Sequence, residues 1–505
     1  MFLDLEVGNL IEPLTGRQWD KSAIYNAYHQ RLSYYTHNGL KPKDRVFLLY
    51  GNCLEFFVDL IAIWNLGASV IPVDSRLTPF EIENLAKTAN PALGIYKGVL
   101  SDGVEKTLTP LGVKLLPTPD STIPISVKDI SSDNIRLDRE ALILFTSGTT
   151  GNPKGVIHTH RSLRARWFAL RSQLGVERFK RTLCLLPTHF GHGLICNCLY
   201  PWFSGQDLYI LPPFRTDLIV QLGKILDEHE ISFMSSVPSV WQLALKTAKA
   251  PQKSKLNSVF CGSAPLSAFL WTEIQKWCGT KDVLNAYGIT ETGSWLAGTN
   301  LPQINPQDGL IGRPWGTIIK ILKSESTENQ ISDMEECETE EPGYIWLNTP
   351  ALMKGYLDRP DLTQAVVRQG WFFTGDIGYL DHDGYLFLKG RVREEINKGG
   401  MKIHPGDIDS VIEKVEGVMD VCSFGYDDPN YGQNVGTALV LKGRNEKVLR
   451  KVYDQVVEHL AEHKVPVRWY VLESIPRTSR GKINRSLVSE ECAKRAPEDM
   501  GKLFA

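Results

Sequence analysis

Short, almost continuously apolar runs alternate with longer helical patterns over the first two thirds of the chain. RVFLLYG (Arg45–Gly51) predicts a strand, and LEFFVDLIAIWNLG after it a helix. SVIPV then predicts a strand and PFEIENLAKTA a helix. The alternation resumes with ALILF, TLCLLP, DLYIL, FMSSVP, SVFCG and DVLNAYG as strands between helical segments. Apolar strands without polar alternation, set between helices, predict parallel sheets buried on both faces. The expected class is α/β, with doubly wound parallel sheets in a large N-terminal domain. From about Gly309 the texture changes. The run 325–341 is densely acidic and predicts an exposed, solvated loop. GYIWLNTP, GWFFTGDIGYL and GYLFLKGR follow, punctuated by Gly and Asp, and predict a small, antiparallel, turn-rich β section. After Gly390 a more charged segment of mixed helix and strand predicts a small α+β C-terminal domain. The expected division is 1–390 and 391–505, with the boundary near Arg391 to Glu395.

The length of 505 residues agrees with more than one domain. Composition adds exclusions. With 42% hydrophobic and 23% charged residues the chain is globular in type, and 56 basic against 58 acidic residues leave a net charge of −2. No global charge points to nucleic acid or a membrane surface. The most apolar long stretch, FFVDLIAIWNLGASVIPV, is broken by Asp59, Asn65 and Gly67, so a buried helix and strand explain it better than a membrane span. The N-terminus MFLDLEVGNLIEP is acidic where a secretory signal would be basic, which makes the expected location cytoplasmic. The nine cysteines have no disulfide-framework or zinc-site spacing, and reduced core thiols are expected. Oligomeric state is not legible.

Chemistry enters with TSGTTGNPKG, Thr146 to Gly155. A buried strand feeds a Gly-rich turn whose freed backbone N–H groups can converge on phosphate oxygens. The hydroxyls of Thr146, Ser147, Thr149 and Thr150 add donors beside Gly148 and Gly151, and Lys154 adds a positive charge. The Walker pattern requires Gly before the lysine and Ser or Thr after it. Pro153 and Gly155 stand there instead, and G-x-G-x-x-G does not fit either. Further along stand NAYGITETG (Asn285–Gly293), WFFTGDIGYLDHDGYLFLKGR (Trp371–Arg391) and PRTSRGKINR (Pro476–Arg485). These four segments, in this order, resemble the signatures of the adenylate-forming superfamily of acyl- and aryl-CoA ligases, adenylation domains and beetle luciferases.

The resemblance implies activation of a carboxylic acid by ATP to an acyl-adenylate, with release of pyrophosphate, then transfer to the thiol of CoA. It equally admits loading onto the phosphopantetheine of a carrier protein acting in trans. The problem such an enzyme must solve is the approach of two anions, whose repulsion at ~4 Å and an effective dielectric of about 20 is about 4 kcal/mol. By resemblance, Lys482 bridges the carboxylate and the α-phosphate, Glu291 holds Mg²⁺ against the phosphates, and Thr290 reaches the α-phosphate. Tyr287 stacks on adenine, Asp376 accepts the ribose hydroxyls, and Arg391 contacts the nucleotide near the ribose. GSAPL (Gly262–Leu266), with Gly262 and Ser263, flanks the adenine and the acid pocket, and Gly288 joins that pocket. The family's C-terminal domain rotates between half-reactions about a hinge matched by Glu394, where many members have Asp or Lys. NKGGMKIHPGDID (Asn397–Asp409) matches the segment that closes over the site for thiol transfer; as residues alone it equally reads as a surface hairpin.

The acid itself is less legible. LLPTHFGHGLICNCL (Leu185–Leu199) offers no carboxylate to pair an α-ammonium group, so an α-amino acid is disfavoured. His192 is the residue expected beside the acid; it and His189 also read as ordinary core histidines. Trp295 would narrow the pocket for a small or flat acid, or is plain core. The basic stretch from Arg161 to Arg181 could attract the phosphates of CoA, though charged helical faces are usually only solvated. From another class, a nucleotide-binding regulator without catalysis stays open, argued against by the intact Lys482, Glu291 and Asp376.

Overall fold

The computed structural model describes residues 6–119, 136–146, 154–212, 215–299, 304–325, 331–398, 401–443, 446–478 and 481–498. Their strands form sheets of fourteen, seven and five members. In the seven-stranded sheet, Arg45–Leu48, Ser69–Pro72, Leu93–Tyr96, Lys114–Pro117 and Glu140–Thr146 pair in parallel. In the fourteen-stranded sheet, Arg181–Cys184, Asp207–Ile210, Phe233–Ser236, Ser258–Gly262 and Val283–Ile289 do the same. Eight of these are the strands that the apolar runs predict; Leu93–Tyr96 and Lys114–Pro117 are not among those runs. The predicted eight are buried along most of their length because helices cover both faces, which is why their sequences do not alternate, whereas the edge strand Lys114–Pro117 is largely exposed.

The two sheets pack against each other through one large core cluster. It joins the helix Leu54–Asn65 to Trp202, Phe260, Trp295 and Trp315. Asp59, which interrupts the longest apolar stretch, is fully buried in that helix and is answered by Arg31, Tyr50 and Thr118. A buried carboxylate is tolerable only with such partners. No helix of the described residues is long and apolar enough to cross a membrane. All nine cysteines are free thiols.

The antiparallel section does not form a layer of its own. Ser294–Gly298 and Leu310–Pro314 join it edge-on to the parallel strands, so Gly343–Asn348, Trp371–Leu380 and Leu386–Arg391 extend the same fourteen-stranded sheet. The acidic run before it departs from a wholly solvated loop. Ile331 and Met334 are buried against Trp346, and Cys337 N–H donates to the Ile321 carbonyl. Lysines 320 and 323 meet Glu336 and Glu335, so the charges line an anchored segment.

The five-stranded sheet stands apart with two core clusters of its own. It holds the hairpin Ile396–Lys398 and Met401–Ile403, the long pair Val418–Asp428 and Gly432–Leu441, and Arg468–Val471. The GG of NKGGMKIHPGDID, at 399–400, lies outside the described residues. This smaller body touches the larger one at several places. Lys246 donates to the Met419 carbonyl (3.1 Å) and Lys414 pairs with Asp308 (3.2 Å).

Candidate active site

The glycine-rich segment connects Glu140–Thr146 to Lys154–Thr159, two antiparallel strands with Thr146 opposite Lys154. A Walker loop leads from a strand into a helix, so the topology excludes that geometry independently of Pro153 and Gly155. Ser147, Gly148, Thr149, Thr150 and Gly151 lie outside the described residues. The two ends of the segment are held together by the Thr146 hydroxyl, 3.5 Å from the Lys154 carbonyl.

Lys154 leads directly to the proposed metal-holding turn. Its Nζ stands 5.5 Å from the centre of the Tyr356 ring, and the Tyr356 hydroxyl donates to Glu291 Oε1 (2.7 Å). Tyr356 has no motif around it and is not legible in the sequence as a site residue. Thr290 and Glu291 sit on a single 3₁₀ turn, Thr290–Thr292, that ends the strand Val283–Ile289. His158 Nε2–H donates to the Thr290 carbonyl (2.7 Å), and burial drives this imidazole's pKa down to about 4, so it is neutral at pH 7. Met353 N–H donates to the Glu291 carbonyl (2.7 Å) and Arg166 Nε to the Thr292 carbonyl (3.0 Å).

The nucleoside residues of the sequence reading form a second cluster. Tyr287 O–H donates to Asp376 Oδ2, and Arg391 Nε donates to Asp376 Oδ1 at 2.7 Å. The register that places Asp376 opposite Arg391 in adjacent antiparallel strands makes that pair. The Arg391 side chain is half exposed and bonded to the buried Asp376 carboxylate. Its attraction, set against burial, raises the Arg391 pKa, and the arginine stays charged. Each carboxylate oxygen keeps a further lone pair for a hydroxyl.

The third cluster surrounds His192. This histidine opens a π-helix, His192–Leu199, an element that short-range patterning does not reveal. Ser235 donates its hydroxyl to the Phe260 carbonyl (3.2 Å), so toward His192 it can only accept, at 2.6 Å from Nε2. The proton is therefore on Nε2, and Ser263 donates to Nδ1 (2.9 Å). Ser263 holds φ at +67°, which turns its side chain toward the ring. Trp295 packs edge-on to the imidazole at 5.4 Å. Burial lowers the His192 pKa to about 3, and the charge of Lys482 adds to that fall. The lysine is thus close enough to act on the pocket although it belongs to the small body. Gly481 beside it packs so tightly that a Cβ would stand 2.7 Å from Ser239 Oγ. His189, by contrast, pairs with Asp74 (3.3 Å). Gly262 and Gly288 owe their identity to close approach: a Cβ would stand 2.3 Å from the Ala286 carbonyl oxygen and 2.4 Å from Ser294, respectively. Glu394 lies on the surface and pairs with Arg485 (3.2 Å), which also meets Asp409 (2.8 Å).

A family model of AMP-binding enzymes matches residues 26–357, and one of the AMP-binding enzyme C-terminal domain matches residues 407–482. An oxalate–CoA ligase of Arabidopsis thaliana is 30% identical over 473 residues, covering 90% of this chain and 89% of the relative. A 2-succinylbenzoate–CoA ligase of Listeria monocytogenes is 30% identical over 462 residues, 90% of each. Among solved structures, o-succinylbenzoate CoA synthetase from Bacillus subtilis, in complex with its acyl-adenylate intermediate, shares the fold at a TM-score of 0.83. That pair is 22% identical, with 98% of this chain and 97% of that one covered.

Proposed function

This chain belongs to the AMP-binding enzyme family and is an AMP-forming acid–thiol ligase; from that premise we propose that it activates a short, polar carboxylic acid and passes the acyl group to CoA. The observation that carries this reading is the packing of Gly481, next to Lys482, against Ser239 of the large body, on the same side as His192, whose pKa burial and the charge of Lys482 lower. This brings the cation's segment to the body that holds the neutral His192 and, at the end of the strand carrying Tyr287 and Gly288, the Glu291 turn.

In the first step the acid's carboxylate oxygen attacks the α-phosphorus of ATP and the bond to the β-phosphate oxygen breaks, releasing pyrophosphate. Lys482 offsets the repulsion between the two anions, and the Thr290 hydroxyl donates to the α-phosphate. Lys154 and the segment Thr146–Gly151 hold the leaving phosphates, Asp376 and Arg391 the ribose, and Tyr287 the adenine. Glu291 fits a magnesium ion. It is one hard oxygen ligand, and the described residues contain no cluster of three metal-ligating side chains, which suits an ion that takes most ligands from phosphates and water. When bound, the ion would neutralise phosphate charge. In the second step a thiolate attacks the acyl carbon and AMP leaves. Rotation of residues 391–505 about Glu394 would carry Lys482 away and admit the thiol.

The acid follows from the surroundings of His192. His192 and Ser235 are engaged with each other, but the partly exposed Ser263 that donates to His192 keeps lone pairs free, and Trp295 packs behind the ring, an arrangement unfavourable to a long alkyl chain and suited to a second polar group. The relative that acts on oxalate agrees with this. Pyrophosphate release measured over short dicarboxylic, hydroxy, aryl, amino and fatty acids, each with CoA or with phosphopantetheinylated carrier protein, tests it. The strongest signal is expected from a short dicarboxylic or oxygen-bearing acid with CoA. A best substrate with a long alkyl chain, or an amino acid, overturns the pocket assignment, and transfer to carrier protein alone replaces CoA as acceptor.

A further inference from the structure

The charged stretch that begins at Arg161 hides one residue unlike its neighbours. Arg166, on the helix His160–Leu174, is fully buried and lies beneath the turn that carries Thr290 and Glu291. Its Nε donates to the Thr292 carbonyl (3.0 Å) and its Nη1 to the Trp315 carbonyl (2.9 Å). Its Nη2 is sealed from solvent with no acceptor among the described residues. The side-chain stem fills the space under Gly293, where a Cβ would stand 3.4 Å from both Arg166 Cβ and Cγ. No carboxylate among the described residues answers the guanidinium. The titratable side chain that acts on its charge is the buried Cys196 thiol, itself neutral because burial pushes its pKa up to about 12.

A buried guanidinium without a counter-ion is costly, and a neutral side chain of similar size would remove that cost. Arginine is kept here although two carbonyls could be satisfied by an amide. The negative charge that would answer it is absent from the protein but present in the proposed substrate, whose phosphate chain lies on the other side of the turn.

We infer that Arg166 is a positioning residue of the ATP-binding half of the site, fixing the backbone under Thr290 and Glu291 and supplying a positive charge that the phosphates of ATP answer. The inference rests on the reading of Thr290 and Glu291 as phosphate-facing. It assigns Arg166 to ATP and not to the acid, since the guanidinium bonds the turn that carries Thr290 and Glu291, whereas His192 bonds Ser235 and Ser263.

The test compares Arg166→Gln, which keeps donors but no charge, with Arg166→Lys, which keeps the charge. ATP–pyrophosphate exchange gives KM for ATP and for the acid, and calorimetry gives the affinity for ATP alone. Arg166→Gln is expected to raise KM for ATP about 30-fold with KM for the acid within about twofold. Arg166→Lys is expected to stay within about threefold of the parent. An unchanged KM for ATP in Arg166→Gln overturns the inference. So do a Lys variant no better than Gln, or equal rises in both KM values as in a loosened fold. If Arg166→Gln does not fold, Arg166→Lys decides alone, and a tenfold loss of ATP affinity in it overturns the role of charge. A parent protein without exchange for any acid would defeat the functional reading, while the calorimetric comparison would still decide this one.

Discussion

Four successive carbonyls of the turn Thr290 to Gly293 accept hydrogen bonds from distant parts of the chain: from His158, Met353 N–H, Arg166 and the Cys196 thiol. Among the described residues, the segment that carries Lys482 is bonded to neighbours in its own body. Thr478 N–H donates to the Lys482 carbonyl (2.7 Å), Arg477 to the Gly481 carbonyl (3.2 Å), and Arg477 is fixed in turn by Asp420 (2.6 Å). One half of the site is built into the large core and cannot shift without unsatisfying buried polar groups. The other belongs to the small body, where Gly481 packs against Ser239 of the large one. This difference suits the proposed two-step reaction, with a fixed cradle for phosphate and a cation needed for one step.

The largest expected effect separates the two halves most sharply. Lys482→Ala should slow adenylation by roughly 10²–10³ or more, as loss of one preorganised charge does. Transfer to CoA from a chemically prepared acyl-adenylate should fall by less than about threefold, because the proposed rotation withdraws the lysine from that step. Single-turnover measurement of each step checks this, and equal losses in both would mean that the lysine loop does not leave.

Next comes the fixed half. Tyr356→Phe removes the hydroxyl that orients Glu291, a bond to a charged acceptor worth about 1.5–3 kcal/mol. Exchange should fall about tenfold or more, and added magnesium should restore part of it, since the carboxylate remains but is less well aimed. A variant with unchanged magnesium dependence would make Tyr356 a packing residue only.

Tyr356 also marks where sequence reading stops. The strands and the principal helices were legible because burial on both faces writes itself as apolar runs. The motif residues were singled out by the resemblance of four short segments to a known family, which implied their roles. What joins them was not. Glu291 and Tyr356 are 65 positions apart and meet only because one strand extends the sheet that the other's turn faces. Arg166 stands among arginines whose pattern is that of a solvated helix, and only the packed helix shows which one turns inward. The π-helix at His192 has no compositional signal, although the histidine that it carries was singled out. The phosphate-loop residues 147–151 rest on the resemblance alone.

The smallest expected effect concerns how the two halves stay together. Glu413, at the end of the helix Pro405–Ile412, meets Ser267 of the large body and has a sealed Oε1 with no partner. Burial pushes its pKa up to about 7, opposed by the bond to Ser267; Asp409 and Asp308 add to the rise and Lys414 reduces it. Separated from the large body, the carboxyl would titrate near its ordinary 4.5. The docked arrangement therefore holds a proton that the separated one releases. Its contribution to docking is complete below about pH 4.5 and is lost as pH rises through about 7. Raising pH from 6 to 8 should shift the docked population toward the separated form by a few-fold, read from the distance between spectroscopic labels on the helices Ala268–Cys278 and Glu446–His459. Glu413→Gln cannot ionise and should flatten that dependence while keeping the bodies docked at pH 8. The same pH slope in Glu413→Gln would move the control of docking elsewhere, to the Lys414–Asp308 pair first, since it is the neighbouring contact between the two bodies whose charges face each other directly.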